Sequence, residues 1–149
     1  MPTDQMRHGR RLRRGRVSVP GCVYSVTFVT HGRWPGLAEV WVGRRVIRCL
    51  RDMDADGRAE TLAFCVMPDH VHWLVRLMPG SDLSGLVGRV KGSSSRAIPL
   101  LRWQRGFHDH AVRDDERLRA LARYIVANPV RAGVVQRVGE YPHWDAVWL

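Results

Sequence analysis

Residues 60–77 read ETLAFCVMPDHVHWLVRL, two strand-like runs, TLAFCVM and HVHWLVRL, on either side of Met67-Pro68-Asp69. Pro68 presets its backbone for a turn and Asp69 readily hydrogen-bonds its own main chain, so the segment predicts an antiparallel hairpin. Along the second run a period of two puts His70, His72, Leu74 and Arg76 on one face and Val71, Trp73, Val75 and Leu77 on the other. The apolar second set is the side expected in the core. The first carries two imidazoles.

Upstream, VSVPGCVYSVTFVT is rich in Val, Thr, Tyr and Phe, and Pro20-Gly21 break its start, which predicts a strand over Cys22 to Thr30. Leu37, Val40, Trp41, Val46, Ile47 and Leu50 recur at helical spacing and turn residues follow from Asp52 to Gly57, so a helix is expected over roughly Gly36 to Asp52. Downstream, Asp82 is a fitting N-cap for a helix through Leu83, Leu86, Val87 and Val90 that stops at Gly92 and Ser93 to Ser95. FHDHAV reads as a fourth short strand. Asp114-Asp115-Glu116 place negative charge at the start of a third helix, which runs to Asn128-Pro129. The order strand, helix, strand, strand, helix, strand, helix is the split βαβ of an α+β, ferredoxin-like fold: a four-stranded antiparallel sheet, helices on one face, and a C-terminal helix bearing Tyr124. That fold by itself selects no function.

The 149 residues suit one domain over 17–149, preceded at 1–16 by a polar basic arm without hydrophobic periodicity. Lys and Arg outnumber Asp and Glu by 24 to 14, a net charge of +10 that favours a polyanionic partner, nucleic acid before a membrane surface. Six arginines lie between Arg7 and Arg16, among them Arg10, Arg11, Arg13, Arg14 and Arg16. Cys22, Cys49 and Cys65 are odd in number and set in apolar runs, which predicts buried thiols in a reducing compartment. With no apolar stretch to serve as a signal or span, the expectation is a cytoplasmic protein without membrane contact. The irregular spacing of Trp34, Trp41, Trp73, Trp103, Trp144 and Trp148 points to core or interface positions rather than a base-stacking series.

Same-face residues two apart on a strand are about 7 Å from one another, so two imidazoles can converge on one ion. His-hydrophobic-His alone is a weak signal, and His108 and His110 repeat the spacing around Asp109. Asp69 beside the first pair and the apolar strand beneath it favour His70 and His72. On the third helix Tyr124 and Asn128 are four apart, hence on one face, with Leu118, Leu121, Ala122 and Ile125 forming the apolar stripe and Arg117, Arg123 and Arg131 around the tyrosine. A phenol of ordinary pKa is roughly one part in a thousand ionised at neutral pH, about 4 kcal/mol from its nucleophilic form; nearby cations lower that cost. Two imidazoles, a phenol, an amide and a basic surface together suggest metal-assisted phosphoryl transfer. Neither a P-loop nor GxGxxG is present, and exchanging a phosphodiester for a phosphotyrosine needs no ATP.

VMPDHVHWLV, WQRGFHDHAVRD, ARYIVANPVRAGVV and the ending EYPHWDAVWL together resemble the REP-associated tyrosine transposases, relatives of the single-tyrosine HUH insertion-sequence transposases. The resemblance runs from RRGRV onward, and four ordered motifs are far more specific than one. It implies that His70 and His72 are the HUH pair, that Tyr124 forms a transient 5'-phosphotyrosine while a 3'-hydroxyl is released, and that the substrate is single-stranded or hairpin DNA. It implies a divalent ion, Mg2+ or Mn2+, the imidazoles suiting Mn2+ better. Insertion-sequence relatives complete the metal site with a glutamine one turn after the tyrosine; here the position is Asn128, one methylene shorter. DNA contacts are expected from the arm arginines, Lys91, Arg117, Arg123 and Arg131, and a homodimer is an open alternative.

Two other readings compete. HVHWLV resembles the histidine-triad nucleotide hydrolases, but the position of their nucleophilic third histidine is Leu74. A ferredoxin-like module that binds nucleic acid without catalysis is the stronger rival, and predicts binding with no metal dependence and no covalent adduct. Tyr24, in a strand run, and Tyr141, in a loop-like tail, are weaker nucleophile candidates.

Overall fold

The computed structural model describes residues 18–147. Strand β1 (Val23–Val29) is followed by two 3-10 turns, at His31–Arg33 and Pro35–Ala38, and by helix α1 (Val40–Ala55). The expected hairpin consists of β2 (Ala59–Val66) and β3 (His70–Leu77). Helix α2 (Leu83–Ala97) starts at Asp82, whose carboxylate accepts from the Gly85 N–H at 2.6 Å. After β4 (His108–Val112) come α3 (Asp115–Val126), the short α4 (Asn128–Arg131) and β5 (Trp144–Ala146).

The sheet order is β4-β1-β3-β2-β5 with every pair antiparallel. It divides the interior into two cores. On one face Tyr24, Val26, Phe28, Val71, Trp73, Val75 and Leu77 pack against the apolar stripes of α1 and α2. On the other, Val23, Ala63, Cys65 and Leu74 pack against Leu118, Ala122, Ile125 and Val126 of α3. The alternation read in β3 therefore holds, with the refinement that Leu74 is fully buried beneath α3. A bulge between Thr61 and Ala63 turns Leu62 into this second core while Thr61 stays on the Trp73 side, where its hydroxyl accepts from the indole N–H at 3.0 Å.

Several expectations need correction. The sheet has five strands, not four: residues 144–146 pair with the outer edge of β2, a contact too short to leave an alternating pattern in the sequence. Helix α2 does not stop at Gly92 but continues through the serines to Ala97. Ser93 and Ser94 bond back to carbonyls of the preceding turn, and buried Ser94 also accepts from the Trp103 indole, so helix-neutral residues are held by tertiary partners. The first helix begins at Val40 rather than Gly36, because the Pro35–Ala38 turn precedes it. The tyrosine helix ends at Val126, and Asn128 opens a separate turn that has Pro129 in its first positions. Cys49 and Cys65 are buried as expected, whereas Cys22 is exposed. Trp73 is fully buried and Trp34 and Trp103 pack on the core, but Trp41 stands 56% exposed. The arm and Trp148 lie outside the described residues. No described helix is long and apolar enough to cross a membrane.

Candidate active site

β3 delivers His70 and His72 to the α3 side of the sheet, and their rings meet. Nε2 of His70 lies 3.1 Å from Nε2 of His72, with the rings nearly perpendicular. Each Nδ1 is turned away to a partner of its own: His70 to the Asp69 carboxylate at 2.7 Å, His72 to the Thr27 hydroxyl at 3.1 Å. A carboxylate only accepts, so His70 carries its proton on Nδ1 and presents a lone pair at Nε2. The Thr27 hydroxyl can donate or accept. His72 can thus offer its Nε2 proton to His70, or reverse its tautomer and present a second lone pair without moving its ring.

Two nitrogens 3.1 Å apart share a point about 2.2 Å from each at an angle of about 90°, the cis geometry of octahedral divalent ions of this size. The donor set fits such an ion, and among the described residues no group of three or more His, Cys, Asp or Glu side chains surrounds it. The remaining positions would fall to an amide, water or substrate oxygens, as an open catalytic site requires.

Burial above all, then the neighbouring His70 and Arg131, hold His72 down at about 4, so its ring is neutral at physiological pH, the form that ligates a metal. Cys65, opposite His72 on β2, is no competing ligand: burial pushes its thiol up to about 12.

The three tyrosines are separated by their surroundings. Tyr24 is buried and its hydroxyl accepts from the Val19 N–H at 2.8 Å; Tyr141 is buried and donates to the Val66 carbonyl, and burial raises its phenol further from ionisation. Tyr124 alone is exposed, at 57%. It extends from α3, on the histidine side of the sheet, and the Arg131 guanidinium stacks 3.5 Å from the centre of its ring. The same cation is among the charges acting on His72 and Cys65. Arg131 therefore both stacks on the Tyr124 ring and bears electrostatically on His72, while half-buried Asn128 sits at the head of the turn that carries it.

Other predicted residues are distributed differently. His108 and His110 pair across β4–β1 with Thr27 and Ser25, which places them on the same sheet face as His70 and His72 but on the edge strand, with β1 between. Both are exposed. Lys91 lies on α2, across the sheet, where its ammonium caps the carbonyls of Gln104 and Gly106. Arg117, 82% exposed, lies 3.9 Å from Asp114, and Arg123 is exposed in the last turn of α3. Arg10, Arg11, Arg13, Arg14 and Arg16 fall outside the described residues. Sequence reasoning missed Thr27 as a partner of His72, since only the β1–β3 register brings residues 45 apart together.

Residues 18–128 match the family model described as Transposase IS200 like, a segment that contains both histidines, Tyr124 and Asn128. The chain belongs to the IS200-like transposase family. An Escherichia coli K12 REP-associated tyrosine transposase is 34% identical over 89 residues, 58% of this chain and 54% of the relative. A Haemophilus influenzae protein provisionally given the same name is 32% identical over 100 residues, 56% of this chain and 57% of the relative. The matches span little more than half the length of these relatives. Among solved structures, a REP-associated tyrosine transposase bound to a REP hairpin superposes with a TM-score of 0.76 at 26% identity, covering 87% of this chain and 79% of the other.

Proposed function

We propose that this transposase-family chain is a divalent-metal-dependent endonuclease and strand transferase acting on single-stranded, hairpin-forming DNA of REP type through a 5'-phosphotyrosine on Tyr124. The observation that carries this reading is the convergence of the His70 and His72 Nε2 atoms at 3.1 Å with both Nδ1 atoms engaged elsewhere. The hairpin-bound structural relative and the +10 charge support DNA as the substrate. His70 and His72 would hold Mg2+ or Mn2+, with the Asn128 amide as a candidate third ligand; when bound, the ion supplies Lewis-acid polarisation of the scissile phosphate.

The chain's own groups account for the rest. The Tyr124 oxygen attacks phosphorus, a P–Oη bond forms as the P–O3' bond breaks, and the proton lost by the phenol is balanced by the one gained at the departing 3'-oxygen. Arg131, stacked on the face of the attacking ring, brings a cation beside it to bind the phosphoryl oxygens. A later attack by a 3'-hydroxyl on the phosphotyrosine reverses the exchange and joins strands.

The test is incubation with single-stranded hairpin DNA and Mn2+ or Mg2+, followed by denaturing electrophoresis. A denaturant-resistant adduct that requires the ion and maps to Tyr124 is expected; hairpin binding with no adduct under any divalent ion would favour a non-catalytic binding module instead.

A further inference from the structure

Resting on the reading of His70 and His72 as metal ligands, we infer that Asp69, Arg33 and Thr27 are positioning residues that fix the two imidazoles for the ion. The Asp69 carboxylate touches His70 through one oxygen, at 2.7 Å, and faces the Arg33 guanidinium through the other, at 3.6 Å. Its backbone is anchored as well: the Asp69 carbonyl accepts at 2.9 Å from the N–H of Thr30, a fully buried residue at the end of β1 whose single hydroxyl proton is shared between the Trp34 carbonyl at 2.8 Å and the Asp69 carbonyl at 3.1 Å. Thr27, three residues earlier on β1, holds the other imidazole. A single strand therefore orients both rings, one through its own side chain and one through the turn it clamps.

Arg33 shows the cost of this arrangement. Among the described residues it is the one non-glycine with positive φ, at 57°. Its side chain is 65% exposed, so the ion pair with Asp69 contributes little to folding. The turn that sets this backbone, closed by the Trp34 N–H on the His31 carbonyl, also sets the guanidinium beside the carboxylate, and the carboxylate fixes the tautomer of His70. Such outer partners commonly govern ligand affinity.

The experiment uses the full chain without DNA and has three readouts: the His70 tautomer from long-range 1H–15N spectra of the metal-free protein, Mn2+ affinity from loss of the free-ion EPR signal, and the melting temperature. Wild type is expected to show His70 protonated on Nδ1. Asp69→Ala should shift His70 toward the Nε2–H tautomer, and both it and Thr27→Val should weaken Mn2+ binding by about 10–100-fold. Thr27→Ser, which keeps the hydroxyl, should restore it, whereas Asp69→Asn, whose amide can donate to Nδ1 as well as accept from it, should fall between the alanine variant and wild type. Arg33→Gly should melt no lower than wild type, because it relieves the positive φ, yet bind Mn2+ more weakly; unchanged affinity would remove Arg33 from the set. Mn2+ binding that His70→Ala abolishes but Asp69→Ala and Thr27→Val leave untouched would overturn the positioning inference alone. Equal binding by wild type and His70→Ala would instead overturn the metal reading.

Discussion

On the proposed mechanism Tyr124 and the paired histidines would divide the chemistry at single atoms, which makes them separable. Tyr124→Phe removes the attacking oxygen but keeps the ring on which Arg131 stacks. It should abolish the covalent adduct and strand cleavage while leaving hairpin affinity within a few-fold of wild type; undiminished nicking, or an adduct on Tyr24 or Tyr141, would end the proposed mechanism. His70→Ala and His72→Ala should lose ion-dependent cleavage with the fold retained, whereas His108→Ala and His110→Ala should retain ion dependence, since these two lie on the edge strand, away from the converging pair. The opposite pattern would transfer the metal site to the edge strand. The cysteines offer a check on the surroundings of the site. Cys22 is exposed while Cys49 and Cys65 are buried, so a thiol reagent should label one residue quickly in native protein and all three only on unfolding. Fast labelling of Cys65 would contradict the buried neighbourhood assigned to His72.

Each element of the fold is adjusted to its neighbours in ways its own sequence does not announce. Helix α1 approaches the C-terminal tail so closely at Gly43 that an added Cβ would lie 2.3 Å from Cε1 of His143, itself buried with neither ring nitrogen in a well-formed hydrogen bond. Alanine in a helix interior ordinarily gains about 1 kcal/mol over glycine. Here Gly43→Ala should instead cost about 1–3 kcal/mol through overpacking, read as a lower denaturation midpoint at unchanged slope. A midpoint at or above wild type would show that the tail does not pack on α1 as described. The division between α3 and α4 matters in a similar way: the Ala127 N–H still bonds the Arg123 carbonyl, so the turn that carries Asn128 and Arg131 follows directly on the one that carries Tyr124.

For the whole molecule, charge and pH act together. Removing residues 1–16 deletes six arginines, so the shortened protein should bind hairpin DNA more weakly and with a shallower salt dependence. The log–log slope should fall by about 0.7 for each single-strand phosphate that the arm neutralises. Unchanged affinity with altered preference among hairpins would make the arm a specificity element. Acid should destabilise the fold through its buried imidazoles. His72 titrates near 6.5 in the unfolded chain and at about 4 when folded, and burial lowers His143 in the same direction. The unfolded state therefore binds protons first as pH falls: the stabilisation is complete above about pH 6.5 and is lost between there and about pH 4. For His72 the loss is on the order of 2 kcal/mol after allowance for solvent screening. Melting temperature against pH should show the decline and His72→Asn should flatten part of it; a flat wild-type profile from pH 7 to about 4.5 would refute the assignment.

Local information sufficed for a good part of this protein. The β2–β3 hairpin, the two faces of β3, the Asp82 cap and the acidic start and amphipathic stripe of α3 follow from turn chemistry and from periods of two and 3.6. These made His70, His72 and Tyr124 candidates, and the four-motif family resemblance gave them their expected roles. The α2 serines and β5 were not legible, because each depends on a partner outside its own element: Trp103 for Ser94, the open edge of β2 for residues 144–146. The arrangement of the site was hidden for the same reason. Spacing can place two imidazoles on one face, but which nitrogen each presents is decided by Thr27 and Asp69. Thr27 reaches His72 only through strand register, and Asp69 is clamped by Thr30 at the end of the neighbouring strand, so that decision belongs to the tertiary structure.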